Sequence, residues 1–391
     1  MAKFVARRME DVPPSGIRRF FDIAATMQDV ISLGVGEPDF VTPDYIRQAA
    51  INSIQQGATR YTSNAGILEL RELTATHLNR LYGVDYDPLS EIIITVGVSE
   101  ALQIVCLATL NPGDEVLIPE PSFVSYAPSV IFAGAVPVYV PTSAADEFMP
   151  ALADLEARVT PHTRAILLGY PNNPTGAVLT RERALQIADF CKKHDLLVYS
   201  DEIYDRLVYG VAHICTAALP GMKERTVTLG GFSKAYAMTG WRIGYVCAPI
   251  DIIAASVRIH QYAIMSAPTA GQYAAIEALK HGEDSVLEMV AEYDRRRQFI
   301  VKAFNDIGLD CFEPRGAFYT FPSIKNVGLS EDEFCEKLLI EEKVAVVPGY
   351  SFGPSGKGHI RACYATSMPK IEEAMERIGR FVRKYSSVGV R

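Results

Sequence analysis

The residues with the clearest chemical potential lie between Gly231 and Gly244, where two cations stand in a largely apolar stretch. Lys234 has aromatic and small neighbours, Arg242 follows eight residues later, and the chain's single tryptophan, Trp241, lies between them. A lysine amine that is removed from water near a second positive charge loses its proton more readily, so it can attack a carbonyl carbon. Taken alone, Lys234 would be a solvated loop residue, since lysine is seldom buried.

Further polar motifs stand upstream of this stretch, each near the end of a short apolar run. Asp201 follows the run 196–199, which places it at the carboxyl end of a predicted strand, where open α/β sheets bind ligands. By itself, Asp201 could equally be a solvated turn residue or a helix N-cap. The pair Asn172 and Asn173 precedes Pro174 in a sequence that also suits a structural turn. Each motif alone is therefore ambiguous, and the functional interpretation depends on the whole set.

The order of these residues carries a resemblance to a known family. Along the chain they are Asn173, Asp201, Tyr204, Lys234 and Arg242. The set resembles the pyridoxal-phosphate-dependent aminotransferases of fold type I, the aspartate aminotransferase superfamily, and the likeness runs from residues 31–40 to residues 359–361. It implies an enzyme that moves an amino group between an L-amino acid and a 2-oxo acid, with 2-oxoglutarate and glutamate as one pair. It also implies a homodimer with shared active sites.

The resemblance implies that pyridoxal 5'-phosphate (PLP) is held through its aldehyde, ring nitrogen, phenolic oxygen and phosphate. Lys234 would bind the aldehyde and move the α-proton as general base and acid. Asp201, rather than the adjacent Glu202, would keep the ring nitrogen protonated. Asn173 and Tyr204 would contact the phenolic oxygen.

The phosphate is expected where residues 95–101 pass from a strand into a helix, because N–H groups at a helix start bind anions. The implied phosphate contacts are Gly97, Val98, Ser99, Ser233 and Arg242. Tyr61 would reach the phosphate of the neighbouring subunit. Many relatives have a hydroxyl three residues before the lysine, where this chain has Gly231. The phosphate would therefore be one side-chain donor short unless Ser233 or water replaces that hydroxyl.

The remaining implied contacts concern the ring face and the substrate. Phe123 would stack on the ring, with Tyr126 as the alternative functional aromatic. Arg361 projects from an apolar run, and a buried arginine needs an anion. The resemblance places the substrate's α-carboxylate there, with Asn173 and the Gly36 backbone completing the grip.

The substrate's side chain is less constrained by the sequence. Some aspartate-specific relatives carry a lysine where this chain has Ser99, which weakens an assignment to dicarboxylates only. Residues 15–20 and 238–242 resemble the group that acts on N-acetyl-LL-diaminopimelate. Aromatic, kynurenine-like and N-acylated diamino acids are therefore equally open.

The apolar runs predict an α/β fold. The predicted strands are residues 92–95, 116–118, 136–140, 165–168, 196–199, 226–229 and 245–248. Because most are continuously apolar, they predict a mostly parallel seven-stranded sheet that is flanked by helices. The predicted helices include 99–109, 181–194 with Thr180 as N-cap, 272–306 with a break at 281–282, 331–342 and 370–385. We expect a large domain over 41–280, and the resemblance pairs residues 1–40 with 281–391 in a smaller α+β domain.

Composition narrows the possible partners. A net charge of −8 argues against nucleic acid and anionic membranes, and no apolar run is long enough to span a bilayer. The seven cysteines are scattered and there is no Cys-x-x-Cys, which fits a reducing cytoplasm without a disulfide frame or metal site. Residues 1–21 lack the apolar segment of a signal peptide. Residues 353–358 are rich in glycine but lack the Walker spacing.

Two other functions remain open from the sequence. A PLP-dependent carbon–sulfur β-lyase would share the fold, the lysine and the aspartate, although the context of Trp241 and Arg242 favours transfer. The effector-binding domain of a transcription regulator can also have this fold. Such regulators carry a DNA-binding domain ahead of it, and the motifs here begin near residue 31 of an acidic chain.

Overall fold

A computed structural model describes residues 4–12 and 27–386. The helices of the described chain are α1 (Asp44–Gln55), α2 (Leu68–Tyr82), α3 (Gly97–Thr109), α4 (Tyr126–Phe132), α5 (Leu152–Glu156), α6 (Arg181–Lys193), α7 (Ile250–Ala263), α8 (Thr269–His281), α9 (Glu283–Asp306), α10 (Glu331–Glu342) and α11 (Met368–Ser386). The strands are β1 (Ile31–Ser32), β2 (Ile92–Thr95), β3 (Glu115–Glu120), β4 (Val136–Pro141), β5 (Thr163–Gly169), β6 (Leu197–Asp201), β7 (Thr226–Gly231), β8 (Gly244–Cys247), β9 (Tyr319–Thr320), β10 (Val344–Ala345), β11 (Val347–Pro348) and β12 (Ile360–Cys363).

The main sheet has seven strands in the order β2-β8-β7-β6-β5-β3-β4. Strand β8 runs antiparallel to both of its neighbours, and the other neighbouring pairs are parallel. The predicted α/β fold with a mostly parallel seven-stranded sheet is confirmed. Because β8 runs the opposite way, its first residue lies at the same edge as the carboxyl ends of the other strands. That edge collects the polar motifs of the sequence.

Helices cover both faces of this sheet, which explains the continuous apolar strands. In β2, Ile93 packs in a cluster with Ile104 of α3, whereas Ile92 and Ile94 pack in a cluster with Ile46 of α1. Successive side chains of a strand point to opposite faces, so each face needs its own apolar partners.

The ends of several predicted helices have local causes. The Thr180 hydroxyl accepts a hydrogen bond from the backbone N–H of Arg183 at 3.2 Å, which caps α6 as predicted. The break between α8 and α9 falls at Gly282. A side chain there would stand 2.3 Å from the Ala278 carbonyl oxygen and 2.6 Å from the Tyr236 ring.

Residues near both ends of the described chain share one apolar cluster. Ile31 and Leu33 pack in the same cluster as Phe304, Ile360 and Phe381. Two smaller sheets lie in this region, β1-β10 and β11-β12-β9. The division into domains at residues 40 and 280 stays a prediction. Within the described ranges, no helix combines the length and apolar character needed to cross a membrane.

The buried face of α9 should contribute strongly to stability. Phe304 is fully buried, whereas Leu287 on the same helix is 54% exposed. We expect Phe304→Ala to lower the free energy of unfolding by about 3–5 kcal/mol because it leaves a cavity. The control Leu287→Ala should change it by about 0.5 kcal/mol or less. Equal losses in chemical denaturation would contradict this packing.

Candidate active site

A cavity of about 370 Å³ opens at the edge where the strands of the main sheet end. Eleven of the thirteen predicted site residues line it: Gly36, Val98, Ser99, Phe123, Asn173, Asp201, Tyr204, Ser233, Lys234, Arg242 and Arg361. The exceptions are Gly97, which lies directly behind the lining, and Tyr61. Residues that are more than 300 positions apart in the chain thus meet in one site. No group of His, Cys, Asp and Glu that could hold a metal occurs in the described part of the chain.

Lys234 follows β7 and points its amine into the cavity. Its Nζ donates a hydrogen bond to the Gly36 carbonyl oxygen at 2.6 Å. Removal from water lowers the pKa of the amine to about 8, and the guanidinium groups of Arg361 and Arg242 add to this effect. A lysine in this state can supply a free amine near neutral pH.

Asp201, the last residue of β6, is buried at the cavity wall. Its Oδ2 accepts a hydrogen bond from the Tyr126 hydroxyl at 2.8 Å, and its Oδ1 accepts one from the backbone N–H of Ile203 at 3.2 Å. Burial raises the pKa of this carboxyl to about 6, although the bond from Tyr126 lowers it. Such a carboxylate would gain from a cationic partner in the cavity.

The adjacent Glu202 points away from the cavity into a polar network of its own. It bonds Ser200 and His213 at 2.8 Å each and the backbone N–H of Thr216 at 3.0 Å. Burial raises the pKa of Glu202, but His213 and the hydrogen bonds from Thr216 and Ser200 together hold it below its ordinary value. Of the two neighbouring carboxylates, Asp201 therefore faces the cavity and Glu202 belongs to a separate polar network.

Arg361 is buried on β12 with its guanidinium group facing the cavity. One Nη donates to the Asn173 side-chain oxygen at 2.8 Å and the other to the Gly34 carbonyl oxygen at 2.6 Å. The guanidinium lies between the rings of Tyr319 and Phe352, at 4.6 and 4.8 Å from their centroids. Its Nε is buried without a hydrogen-bond partner among the described residues. No carboxylate of the described residues pairs with this cation, so it is available for an anion.

Asn172 and Asn173 have different positions: one is part of a structural turn and the other faces the cavity. The Asn172 side chain closes the turn through hydrogen bonds to Gly169 and to the backbone and hydroxyl of Thr175. Asn173 faces the cavity and contacts Arg361. The structural role in the turn therefore belongs to Asn172, and the position at the cavity belongs to Asn173.

The start of α3 lies at the cavity, because Val98 and Ser99 of its first turn line it. Gly97 begins the helix with a φ of +74°, and a side chain there would lie 2.6 Å from Nη2 of Arg242. The first N–H groups of a helix have no intrahelical acceptor, so they can bind an anion beside the guanidinium. At Gly231 a side chain would stand 3.1 Å from the backbone of β8, which leaves little room for a hydroxyl. Ser233 lines the cavity nearby.

The structure adds two tyrosines, Tyr126 and Tyr319, whose contacts at the cavity the sequence does not predict. The sequence offers Tyr126 as the alternative functional aromatic to Phe123; both line the cavity, and the Tyr126 hydroxyl donates a hydrogen bond to Asp201. The hydroxyl of Tyr319, which no motif indicated, lies 2.7 Å from that of Tyr204. Burial raises the pKa of Tyr204 well above its ordinary value, so it stays protonated. An aromatic residue three positions after Phe123 was the available signal for Tyr126.

Two predicted features lie outside this cavity. Tyr61 is 81% exposed and does not line it, so its contact with a neighbouring subunit stays a prediction. The motif at residues 15–20 lies outside the described residues.

The raised pKa of Asp201 predicts an effect of pH on stability. In the ligand-free protein the folded carboxyl titrates at about 6 instead of 3.8, so the folded state loses stability as the pH rises through this window. We expect Asp201→Asn to raise the free energy of unfolding at pH 8 by up to about 3 kcal/mol, since one pKa unit equals about 1.4 kcal/mol. The gain should vanish near pH 4.

The neighbouring substitution provides the control. Glu202→Gln should lower stability at pH 8, because it breaks a buried pair with His213. An Asp201→Asn protein that is less stable than the wild type at pH 8 would contradict the raised pKa of Asp201.

Comparison with known proteins identifies the family. The profile of the family "Aminotransferase class I and II" matches residues 28–378. The putative aminotransferase YugH of Bacillus subtilis is 52% identical, over 98% of this chain and all of its own length. An aspartate aminotransferase of Pyrococcus abyssi is 48% identical, over 96% of this chain and 98% of its own.

One solved structure and a further sequence relative agree with these matches. The aromatic aminotransferase of Pyrococcus horikoshii superimposes with a TM-score of 0.90 at 47% identity, covering 93% of this chain and 99% of its own. A probable N-acetyl-LL-diaminopimelate aminotransferase of Bacillus subtilis is 40% identical over 96% of this chain and 95% of its own, in line with the resemblance seen in the sequence. The chain belongs to the class I and II aminotransferases, and it is a transaminase.

Proposed function

We propose that this transaminase uses PLP and moves the amino group of an L-amino acid to 2-oxoglutarate. The observation that carries the proposal is the placement of Lys234, Asp201 and Arg361 around one cavity. The amine has a lowered pKa, the carboxyl has a raised pKa, and the guanidinium has an Nε without a partner in the described part of the chain. An aldehyde, a protonated ring nitrogen and a substrate carboxylate are the groups that such partners suit.

The residues present fit PLP as a bound group. The N–H groups at the start of α3, with Ser99, Ser233 and Arg242, suit its phosphate. Asn173 and Tyr204 would hold its phenolic oxygen, and Phe123 lines the cavity where it would cover a ring face. Gly231 offers no hydroxyl, so we assign that contact to Ser233.

When bound, PLP supplies an aldehyde that takes up the amino group and a protonated ring that withdraws electrons from the bonds of the α-carbon. Asp201 would hold the proton on the ring nitrogen. Lys234, with a pKa near 8, would bind the aldehyde and then remove and return the α-proton. Arg361 would hold the α-carboxylate, with Asn173 and Gly36, and so fix which bond at the α-carbon reacts. The protonated Tyr204 would donate a hydrogen bond to the phenolic oxygen of PLP.

The setting of the enzyme completes the proposal. We propose a cytoplasmic homodimer in which Tyr61 of each chain reaches the phosphate bound by the partner. The 81% exposure of Tyr61 is compatible with this, because its side chain is accessible to a second chain. A carbon–sulfur β-lyase is not favoured, since the curated relatives are aminotransferases. Their range of substrates supports a donor class broader than dicarboxylates.

Borohydride reduction tests the covalent partner of PLP. We expect treatment of the PLP-loaded protein to fix the cofactor on Lys234, which peptide mass spectrometry would locate. Lys234→Ala should still bind PLP but lose turnover by about 10²-fold or more, because the general base is gone. A variant with wild-type turnover would disprove the assignment.

The adjacent carboxylates provide a matched test of the electron sink. Asp201→Asn should lower mainly kcat, because the protonated ring matters most in the carbanion-like transition state. Glu202→Gln should have a milder effect on kcat, because Glu202 faces away from the cavity. Equal losses in steady-state kinetics would undo the choice of Asp201.

Mixed dimers test whether two chains share each site. Tyr61→Phe should weaken PLP retention by roughly 1.5–3 kcal/mol, the value of a hydrogen bond to a charged group. In a dimer of one Tyr61→Phe chain and one Lys234→Ala chain, sharing leaves one site intact. We expect this purified heterodimer to show wild-type affinity for PLP at its active site and about half of the wild-type activity. If the heterodimer instead needs the same excess of PLP as the Tyr61→Phe homodimer, each active site takes its Tyr61 and its Lys234 from one chain.

A further inference from the structure

Tyr319 is a buried tyrosine of the cavity wall to which the proposed function gives no role. It lies in β9 opposite Cys363 of β12, so its side chain is on the same face of that small sheet as Arg361. The centroid of its ring is 4.6 Å from the guanidinium carbon of Arg361, and its hydroxyl oxygen is 2.7 Å from that of Tyr204. Tyr319 therefore contacts one residue that we assign to the substrate and one that we assign to the cofactor.

The surrounding chain fixes the position of the Tyr319 hydroxyl. A side chain at Gly36 would stand 2.1 Å from this oxygen, so the hydroxyl packs closely against the Gly36 backbone on one side. On the other side it meets Tyr204, which is its hydrogen-bond partner within residues 4–12 and 27–386. The two rings meet edge to face, with centroids 5.9 Å apart. The hydroxyl of Tyr319 is thus held against that of Tyr204.

The number of protons decides the direction of this hydrogen bond when a cofactor is bound. A tyrosine hydroxyl has one proton to donate, and its oxygen can also accept. Burial raises the pKa of both Tyr204 and Tyr319 above the ordinary value, so both hydroxyls keep their protons near neutral pH. If Tyr204 donates its proton to the phenolic oxygen of PLP, it has none left for Tyr319. The contact between the two hydroxyls then requires Tyr319 to donate to Tyr204.

We propose that Tyr319 is a positioning residue that donates its proton to the Tyr204 hydroxyl and thereby directs the Tyr204 proton toward the phenolic oxygen of the cofactor. The inference rests on the proposed function, in which Tyr204 contacts that oxygen. Tyr319 also strengthens the second bond, because consecutive hydrogen bonds polarise one another. Its effect on the cofactor passes through Tyr204 alone. The contact of its ring with Arg361 is separate, and a phenylalanine would keep it.

The absorbance of the PLP-loaded protein against pH tests this role, because a donor to the phenolic oxygen favours the deprotonated form of the bound cofactor. Tyr204→Phe should raise the midpoint of this titration by about 1–2 pH units, the effect of losing a hydrogen bond to an anion. Tyr319→Phe should raise it by about 0.3–0.6 unit, because the bond from Tyr204 is weakened but not removed. The double variant should match Tyr204→Phe to within about 0.2 unit, because Tyr319 acts only through Tyr204.

Tyr209 provides a matched control. It is a buried tyrosine of the same apolar cluster as Tyr319, and its hydroxyl donates to the Ala317 carbonyl oxygen instead of to a residue of the cavity. Tyr209→Phe removes a buried hydroxyl in the same way. It should move the midpoint by less than about 0.2 unit, because it has no contact with Tyr204.

Three results would overturn the proposal: a midpoint that Tyr319→Phe leaves unchanged or lowers, a double variant shifted beyond Tyr204→Phe, or an equal shift in Tyr209→Phe. If Tyr319→Phe does not fold, replacement of Tyr319 with 3-fluorotyrosine decides instead. Its more acidic hydroxyl is the stronger donor, so the midpoint should fall, and an unchanged or raised midpoint refutes the proposal. A Tyr204→Phe protein with the wild-type midpoint would refute the contact of Tyr204 in the proposed function rather than this inference.

Discussion

The active site depends on the desolvation of two groups of opposite charge that the fold keeps in one cavity. The Lys234 amine donates to the Gly36 carbonyl, and the Asp201 carboxylate accepts from the Tyr126 hydroxyl. Burial shifts both pKa values toward the neutral form, to about 8 and about 6. Each group is thereby less stable as an ion than it would be in water. A ligand with an electrophilic carbon and a cationic nitrogen stabilises both at once.

The sheet topology brings the residues of the cavity together. Parallel strands bring Asp201 and the segment before Lys234 to one edge, and the reversed β8 brings Arg242 to the same edge. Arg361 reaches the cavity from β12, in a different sheet, and bonds Asn173 of the large sheet's edge. The hydrogen bond between Arg361 and Asn173 therefore connects the two sheets.

The sequence predicted the elements with strong local signals. Continuous apolar runs located the strands of the large sheet, and Thr180 and Gly282 marked helix ends through capping and close contact. The site was predictable mainly because a resemblance supplied the register, such as Asn173 over Asn172. The contact of Tyr126 with Asp201 spans 75 residues and that of Tyr204 with Tyr319 spans 115. Neither contact leaves a periodic pattern, so only the folded chain reveals them.

Transfer of a labelled amino group separates transamination from elimination most directly. The PLP-loaded protein is given nitrogen-15-labelled L-phenylalanine or L-aspartate with 2-oxoglutarate, and the products are followed by mass spectrometry. Amino transfer with Lys234 as proton carrier predicts label in glutamate, in proportion to the 2-oxo acid formed from the donor. Without 2-oxoglutarate it predicts no more than one 2-oxo acid per active site. Label released as ammonia, at a rate that does not depend on 2-oxoglutarate, would contradict it.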